Sequence, residues 1–268
     1  MKIPNFRTRK GSELYTMTAG HRIAPLVADA LGERVVAASR TNGADQRLLD
    51  VACGPGTLSL RLARELPDMR IIGVDASGEM VAQAQRRAVE AGLGNRATFA
   101  TMDVHHLAFE TGSLDAVTCN LGFPFFAHPV EALAEIRRVM SPGASFWSSV
   151  PDRQSWGELF EVVHEVVPVS DRLLRGFMVK MEQAALLLPT LQQAGFTVTH
   201  QECVRLPFFF ADGHEAVTFF NSLFSLFTTL PAAVEGRLSR ILDERFPHGI
   251  TTAYVALLAC ARREAGTP

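Results

Sequence analysis

The run Leu48-Leu49-Asp50-Val51-Ala52-Cys53-Gly54-Pro55-Gly56-Thr57 constrains this chain more than any other segment. It reads as a buried strand ending in an acid, then a glycine turn, then a helix start. A carboxylate and bare backbone therefore meet at the carboxyl end of a strand. Glycine lets backbone come close to a ligand, and a helix N-terminus offers N–H groups, so a nucleotide-like molecule can dock there. The run departs from the dinucleotide fingerprint, because Ser59 stands where the third glycine of G-x-G-x-x-G belongs.

Around this turn, strands and short helices alternate. Strands are expected at Arg47–Ala52, Arg70–Asp75, Ala97–Met102, Leu114–Cys119 and Ala144–Val150. Helices are expected at Thr57–Leu66, after a capping Ser77, and at Val130–Met140, each with one apolar face. That alternation implies right-handed crossovers and a parallel, doubly wound α/β sheet. The rhythm breaks after Pro151. Residues 152 to about 180 read as helical, as do Glu182–Gln193 (stopped by Gly195) and a block from about His214 to Phe246. Two more strands are expected, at Phe196–Leu206 and Thr251–Ala261. The segment before about Gly43 reads as helical, with apolar spacing from Ala24 to Val36. The organisation expected is an N-terminal helical cap over 1–44, a ligand-binding core over 45–150 and a helical insertion over 151–193. The rest of the core then fills 194–268, with a second helical block at 212–247.

Composition narrows the function classes. The chain has 268 residues, 47% hydrophobic and 20% charged, with a net charge of −2. It is globular and lacks the basic excess of a nucleic-acid binder. Cys53, Cys119, Cys203 and Cys260 form no C-x-x-C pair, so no metal site is expected and a reducing cytoplasm fits. Met1–Arg7 leads into no apolar run of a signal peptide. Ala216–Val234 is uncharged, but Thr218, Asn221, Ser222, Ser225, Thr228, Thr229 and Pro231 favour a buried soluble helix over a membrane span.

Four elements fall where ligands bind open α/β sheets, at the carboxyl ends of the first four strands. They are Asp50 with Gly54 and Gly56; Asp75 after Ile71-Ile72-Gly73-Val74; Met102-Asp103-Val104; and Asn120-Leu121-Gly122. Their order resembles the class I S-adenosylmethionine-dependent methyltransferases, in the branch of quinone and small-molecule enzymes. The segments Leu49–Thr57, Gly73–Ser77 and Ala132–Gly143 carry the resemblance, which covers roughly residues 45–150.

The resemblance implies a Rossmann-like, mostly parallel seven-stranded sheet with the last strand antiparallel and helical lid insertions. It implies S-adenosylmethionine as cofactor. Gly54 and Gly56, with Ala52, would pass close to its methionine part. Asp50 would help hold the ammonium, directly or through water, and the Asn120 carbonyl would meet the same group. Asp75, with Ala76 and Met80 beside it, would receive the ribose hydroxyls, while Asp103 and Val104 would flank the adenine. Tyr15 lies where such enzymes close over the cofactor. A sulfonium and an ammonium with no pyrophosphate suit carboxylates and carbonyls better than a three-glycine anion cradle.

The acceptor side is read from aromatic residues. Phe123, Phe125 and Phe126 follow strand four; Trp156, Phe220 and Phe224 belong to the two helical blocks. Together they are expected to line an apolar substrate pocket, with a hydrophobic O- or C-acceptor of secondary metabolism. Related enzymes often place a histidine after strand four. Here the stretch is Phe123-Pro124-Phe125-Phe126, so His128 becomes the first candidate for a general base. His105-His106, after Asp103, face either adenine or solvent. A homo-oligomer is compatible with the apolar surface. Two other readings stay open: a cofactor-binding cyclase or non-catalytic module on the same fold, and a nicotinamide dehydrogenase. Ser59 and the lack of a Tyr-x-x-x-Lys pair count against the last.

Overall fold

The computed structural model describes residues 19–39, 46–166, 181–224 and 231–264. Helix α1 (Ala19–Ala38) leads into β1 (Gln46–Val51), α2 (Thr57–Glu65), β2 (Met69–Asp75), α3 (Gly78–Glu90), β3 (Ala97–Thr101) and β4 (Leu114–Asn120). A short 3-10 turn at Phe123–Phe125 precedes α4 (Pro129–Val139), β5 (Met140–Pro151) and α5 (Gly157–Val166). Then come α6 (Leu187–Gln193), β6 (Thr197–Phe210), α7 (Gly213–Phe224), α8 (Ala232–Arg245) and β7 (Ile250–Arg262).

The seven strands form one sheet in the order β3-β2-β1-β4-β5-β7-β6. The first five run parallel, and β7 runs antiparallel to both neighbours. This is the doubly wound sheet that the alternation predicts. Adjacent residues of a strand face opposite sides. Leu48, Ala116 and Trp147 thus join the core under α1, α2 and α3, whereas Leu49, Val117 and Phe146 join the core under α4 and α6. Helices on both faces explain why the inner strands read as near-continuous apolar runs.

Two strands outrun their expected limits. β5 starts at Met140, and its register against β4 shifts between Leu114 and Ala116. Gly143 supplies the φ of 82° there, so the Pro142-Gly143 turn is a bulge within the strand. β6 continues past Leu206 to Phe210 because Pro207 lies on the sheet's edge, where a missing N–H disrupts no central ladder. Ala216–Val234 does not form one helix: Pro231 is extended, with φ −60° and ψ 140°, and α8 begins after it at Ala232. Among the described residues no helix is long and apolar enough to cross a membrane.

Candidate active site

The sheet order reverses between β1 and β4. Helix α2 leaves β1 toward one face, burying Leu58 and Leu62, and α4 follows β4 onto the other, burying Leu133 and Ile136. The diverging connections open a crevice at the carboxyl ends of the two strands, where ligands of such sheets bind. Backbone strain concentrates there. Ala52, just past β1, has φ 52°, and Leu121, just past β4, has φ 60°. Side chains rarely adopt this left-handed region, and such outliers gather at ligand sites. The two turns also touch: a Cβ on Gly122 would lie 2.6 Å from the Cβ of Ala52.

Asp50 sits beneath this crevice with 1% of its surface exposed. Ser59 Oγ donates to its Oδ2 at 2.5 Å, and Thr118 Oγ1 donates to its Oδ1 at 2.9 Å. Thr118 is its register partner on β4. Burial pushes the Asp50 carboxyl up to about 6, the two hydroxyls pull it down, and the charge of Asp75 raises it again. The carboxylate is thus an anchor under the loop. Both of its oxygens are engaged by Ser59 and Thr118, so of the two arrangements expected for a ligand ammonium, direct or through water, this burial favours the indirect one.

Asp75, at the end of β2, holds the glycine loop. Its Oδ2 accepts the Gly54 N–H at 2.9 Å and its Oδ1 accepts the Ser77 N–H at 2.8 Å. Ser77 in turn caps α3 by accepting the Met80 N–H at 3.4 Å. Ala76 is half-buried beside it, and the Met80 side chain is packed away. Gly54 and Gly56 take φ of 54° and 76°, which turns the chain sharply into α2. From the back of the loop, Arg87 Nη1 donates to Pro55 O at 2.6 Å and Thr57 Oγ1 at 3.3 Å.

The local potential is negative. Burial above all pushes the Cys53 thiol well above its ordinary range and Cys119 up to about 12, and the charges of Asp50 and Asp75 add to both. A cation is favoured here and a pyrophosphate is not.

On the other rim, Asn120 is fixed at the end of β4. Its Oδ1 accepts Ser149 Oγ at 2.7 Å, and its Nδ2 donates to Ala24 O of α1 at 3.3 Å. Asp103 and Val104 follow β3, half-buried. Asp103 Oδ1 lies 2.6 Å from His105 Nδ1 and accepts the His105 N–H at 3.1 Å. His128, the candidate base, is exposed at the N-terminus of α4. Its backbone N–H donates to His105 Nε2 at 3.3 Å, and the two rings meet edge-on at 5.9 Å.

The structure does not gather the expected aromatic wall. Phe123 and Phe126 are buried in the core under α4, and Trp156 and Phe220 in the core on the opposite face of the sheet. Trp156 is 1% exposed and ringed by Phe208, Phe210, Phe219, Phe220 and Tyr254. It is core between the sheet and α7, not pocket lining, because rings this close satisfy each other's apolar surface. Among the described side chains of that set, Phe125 alone shows a broad open face, at 41% exposure. Phe224 ends α7, but its side chain lies outside the described ones, as does Tyr15 altogether.

Sequence reading missed Thr118, Ser149, Arg87 and the Asp103–His105 pair. Thr118 and Ser149 were findable, since each is the cross-strand partner of a site residue, opposite Asp50 and Asn120. Arg87 carried no local signal. Among the described residues no group of His, Cys, Asp or Glu could hold a metal ion.

Residues 48–143 match the family model of a methyltransferase domain. A demethylmenaquinone methyltransferase of Thermus thermophilus is 35% identical over 137 residues, 50% of this chain and 61% of that protein. An uncharacterised 37.1 kDa protein of a transposon in Streptomyces fradiae is 34% identical over 199 residues, 69% of this chain and 51% of that protein. The chain thus spans about half to three fifths of the curated relatives it matches. Among solved structures, the [4+2]-cyclase SpnF superposes with a TM-score of 0.59 at 25% identity, covering 90% of this chain and 82% of that one. The matched domain, the strand order and the acid-lined glycine turn identify residues 48–143 as a methyltransferase domain of the class I, S-adenosylmethionine-dependent kind.

Proposed function

We propose that this protein binds S-adenosylmethionine in the β1–β4 crevice and transfers its methyl group to a small apolar acceptor, at oxygen or carbon. The observation that supports it most is the charge of the site. Buried Asp50 and half-buried Asp75 face the glycine turn, and after burial their charges add to the upward push on the Cys53 and Cys119 thiols. The cofactor supplies an activated methyl on a cationic sulfur. Asp50 and Asp75 favour its positive end, the start of α2 suits its carboxylate, and Asn120 offers its carbonyl to the ammonium. Asp75 stands at the ribose diol and Asp103 at the adenine edge.

Transfer itself rests on alignment of the acceptor behind the methyl, and positioning supplies much of such a rate. Phe125 and the loop Leu121–His128 form the acceptor side. His128 is the proton acceptor for a hydroxyl substrate, since its exposed ring begins α4 at the crevice rim. The quinone-type relative supports a hydrophobic acceptor, which we place in secondary metabolism.

A second reading has its own support, because the likeness to the cyclase extends over 90% of this chain. Calorimetric titration with S-adenosylmethionine, S-adenosylhomocysteine and NAD tests the cofactor. Micromolar binding of the first two alone is expected, and binding of NAD alone overturns the reading. Release of S-adenosylhomocysteine with prenylated hydroquinones and apolar phenols then separates the rivals. Release above background supports transfer. Tight cofactor binding with no release across that panel favours the cyclase or module.

A further inference from the structure

We infer that His105 is a positioning residue that couples the cofactor site to the acceptor-side loop through the two ends of its imidazole. The inference rests on the cofactor reading above. His105 Nε2 receives the His128 backbone N–H at 3.3 Å, so it carries a lone pair and the ring proton sits on Nδ1. That proton points to Asp103 Oδ1, 2.6 Å away. The ring is mostly enclosed, with 14% of its side chain exposed, whereas the Asp103 side chain is 38% exposed and open to a ligand. One imidazole thus joins the loop after β3 to the start of α4, bridging segments 23 residues apart. Asp103 also fixes the turn locally, through the His105 N–H at 3.1 Å and its own carbonyl, which accepts the His106 N–H at 2.9 Å.

The consequence is thermodynamic. An adenine exocyclic amine donating to Asp103 restrains the carboxylate. The carboxylate restrains the ring, and the ring restrains the His128 backbone and with it the loop Leu121–His128 that carries Phe125. Coupling of this kind is reciprocal: what orders the acceptor loop also tightens the cofactor.

The two ends separate by mutation. His105→Asn retains an N–H that reaches Asp103 but no acceptor that reaches His128; His105→Ala loses both. Amide hydrogen exchange at His128 and titration with S-adenosylhomocysteine are the readouts, with ¹⁵N shifts of the imidazole reporting the tautomer. In the free protein, His128 exchange should quicken at least about tenfold in both variants. S-adenosylhomocysteine affinity should fall about fivefold or more in His105→Ala and stay within about twofold in His105→Asn. The ligand should slow His128 exchange several-fold in the wild type and not in His105→Asn. Unchanged exchange in both variants, equal slowing in wild type and His105→Asn, or an Nε2-protonated ring at neutral pH each overturns the inference while leaving the cofactor reading intact. Failure of the wild type to bind S-adenosylhomocysteine overturns the cofactor reading and the coupling with it, and free-protein exchange still passes or fails the tie itself.

Discussion

Ser59 Oγ donates to Asp50 Oδ2 at 2.5 Å, from the position where a dinucleotide fingerprint carries its third glycine. That glycine would bring helix and strand close beneath a phosphate. Here a hydroxyl fills the space and supports a buried negative charge, so the same turn serves a ligand of opposite sign.

The pH behaviour of Asp50 follows. Its folded-state carboxyl lies near 6, above the usual value of 3.8, so between about pH 4 and pH 6 the folded protein holds a proton that the unfolded chain has released. Asp50's contribution to stability is therefore full below about pH 4 and is lost as pH rises through about 6. A cationic ligand prefers the ionised form. Affinity for S-adenosylmethionine should climb about tenfold from pH 5 to 7, the ratio of ionised fractions on either side of that midpoint. Titration at several pH values measures it. Asp50→Asn should flatten the profile, and Asp50→Ala should weaken binding more than about tenfold.

Ser59→Ala removes one of the hydroxyls that hold the Asp50 carboxyl down. A buried acceptor left without its donor costs about 1–3 kcal/mol, measurable by denaturant unfolding at pH 7. The affinity profile should also shift toward higher pH. A stability loss with no such shift would mean that Ser59 only packs.

Arg87 holds the back of the glycine turn through Pro55 O and Thr57 Oγ1 without lining the crevice. Arg87→Ala should weaken S-adenosylhomocysteine binding about threefold to tenfold with little change in unfolding midpoint, because it loosens a positioned loop rather than a core. Arg87→Lys should recover part of the loss, since one amine can still reach the carbonyl.

Trp156 and Phe125 should behave as opposites. Trp156→Ala opens a cavity among five rings and should cost about 3–5 kcal/mol by thermal or denaturant unfolding. Phe125→Ala, at an exposed ring, should leave stability nearly unchanged and raise the acceptor KM once an acceptor is found. An equal stability loss in both would return Phe125 to the core.

The sheet and its loaded strand ends were legible because buried parallel strands leave apolar runs, and each run here ends on an acid or amide beside a turn. Asp50, Asp75, Asp103 and Asn120 all lie at or just past the carboxyl ends of parallel strands, as their spacing predicts. The aromatic side was not legible. Composition shows that rings abound but not which face of the sheet each meets, and Trp156 and Phe123 proved to lie on opposite faces. The resemblance implies that Asp103 neighbours the adenine. Its bond to His105 depends on how a loop folds back over two residues, which periodicity does not encode.

Asp75 carries a double duty with an evolutionary reach. Its two oxygens tie down the Gly54 and Ser77 amides, so the turn depends on it whether or not chemistry follows. A descendant without methyl-transfer activity would still be selected to keep this acid, because losing it would remove both ties of the loop. Divergence of activity within such a lineage should therefore be written first in the acceptor-side loop around Phe125 and His128, while the acidic signature persists as a record of ancestry.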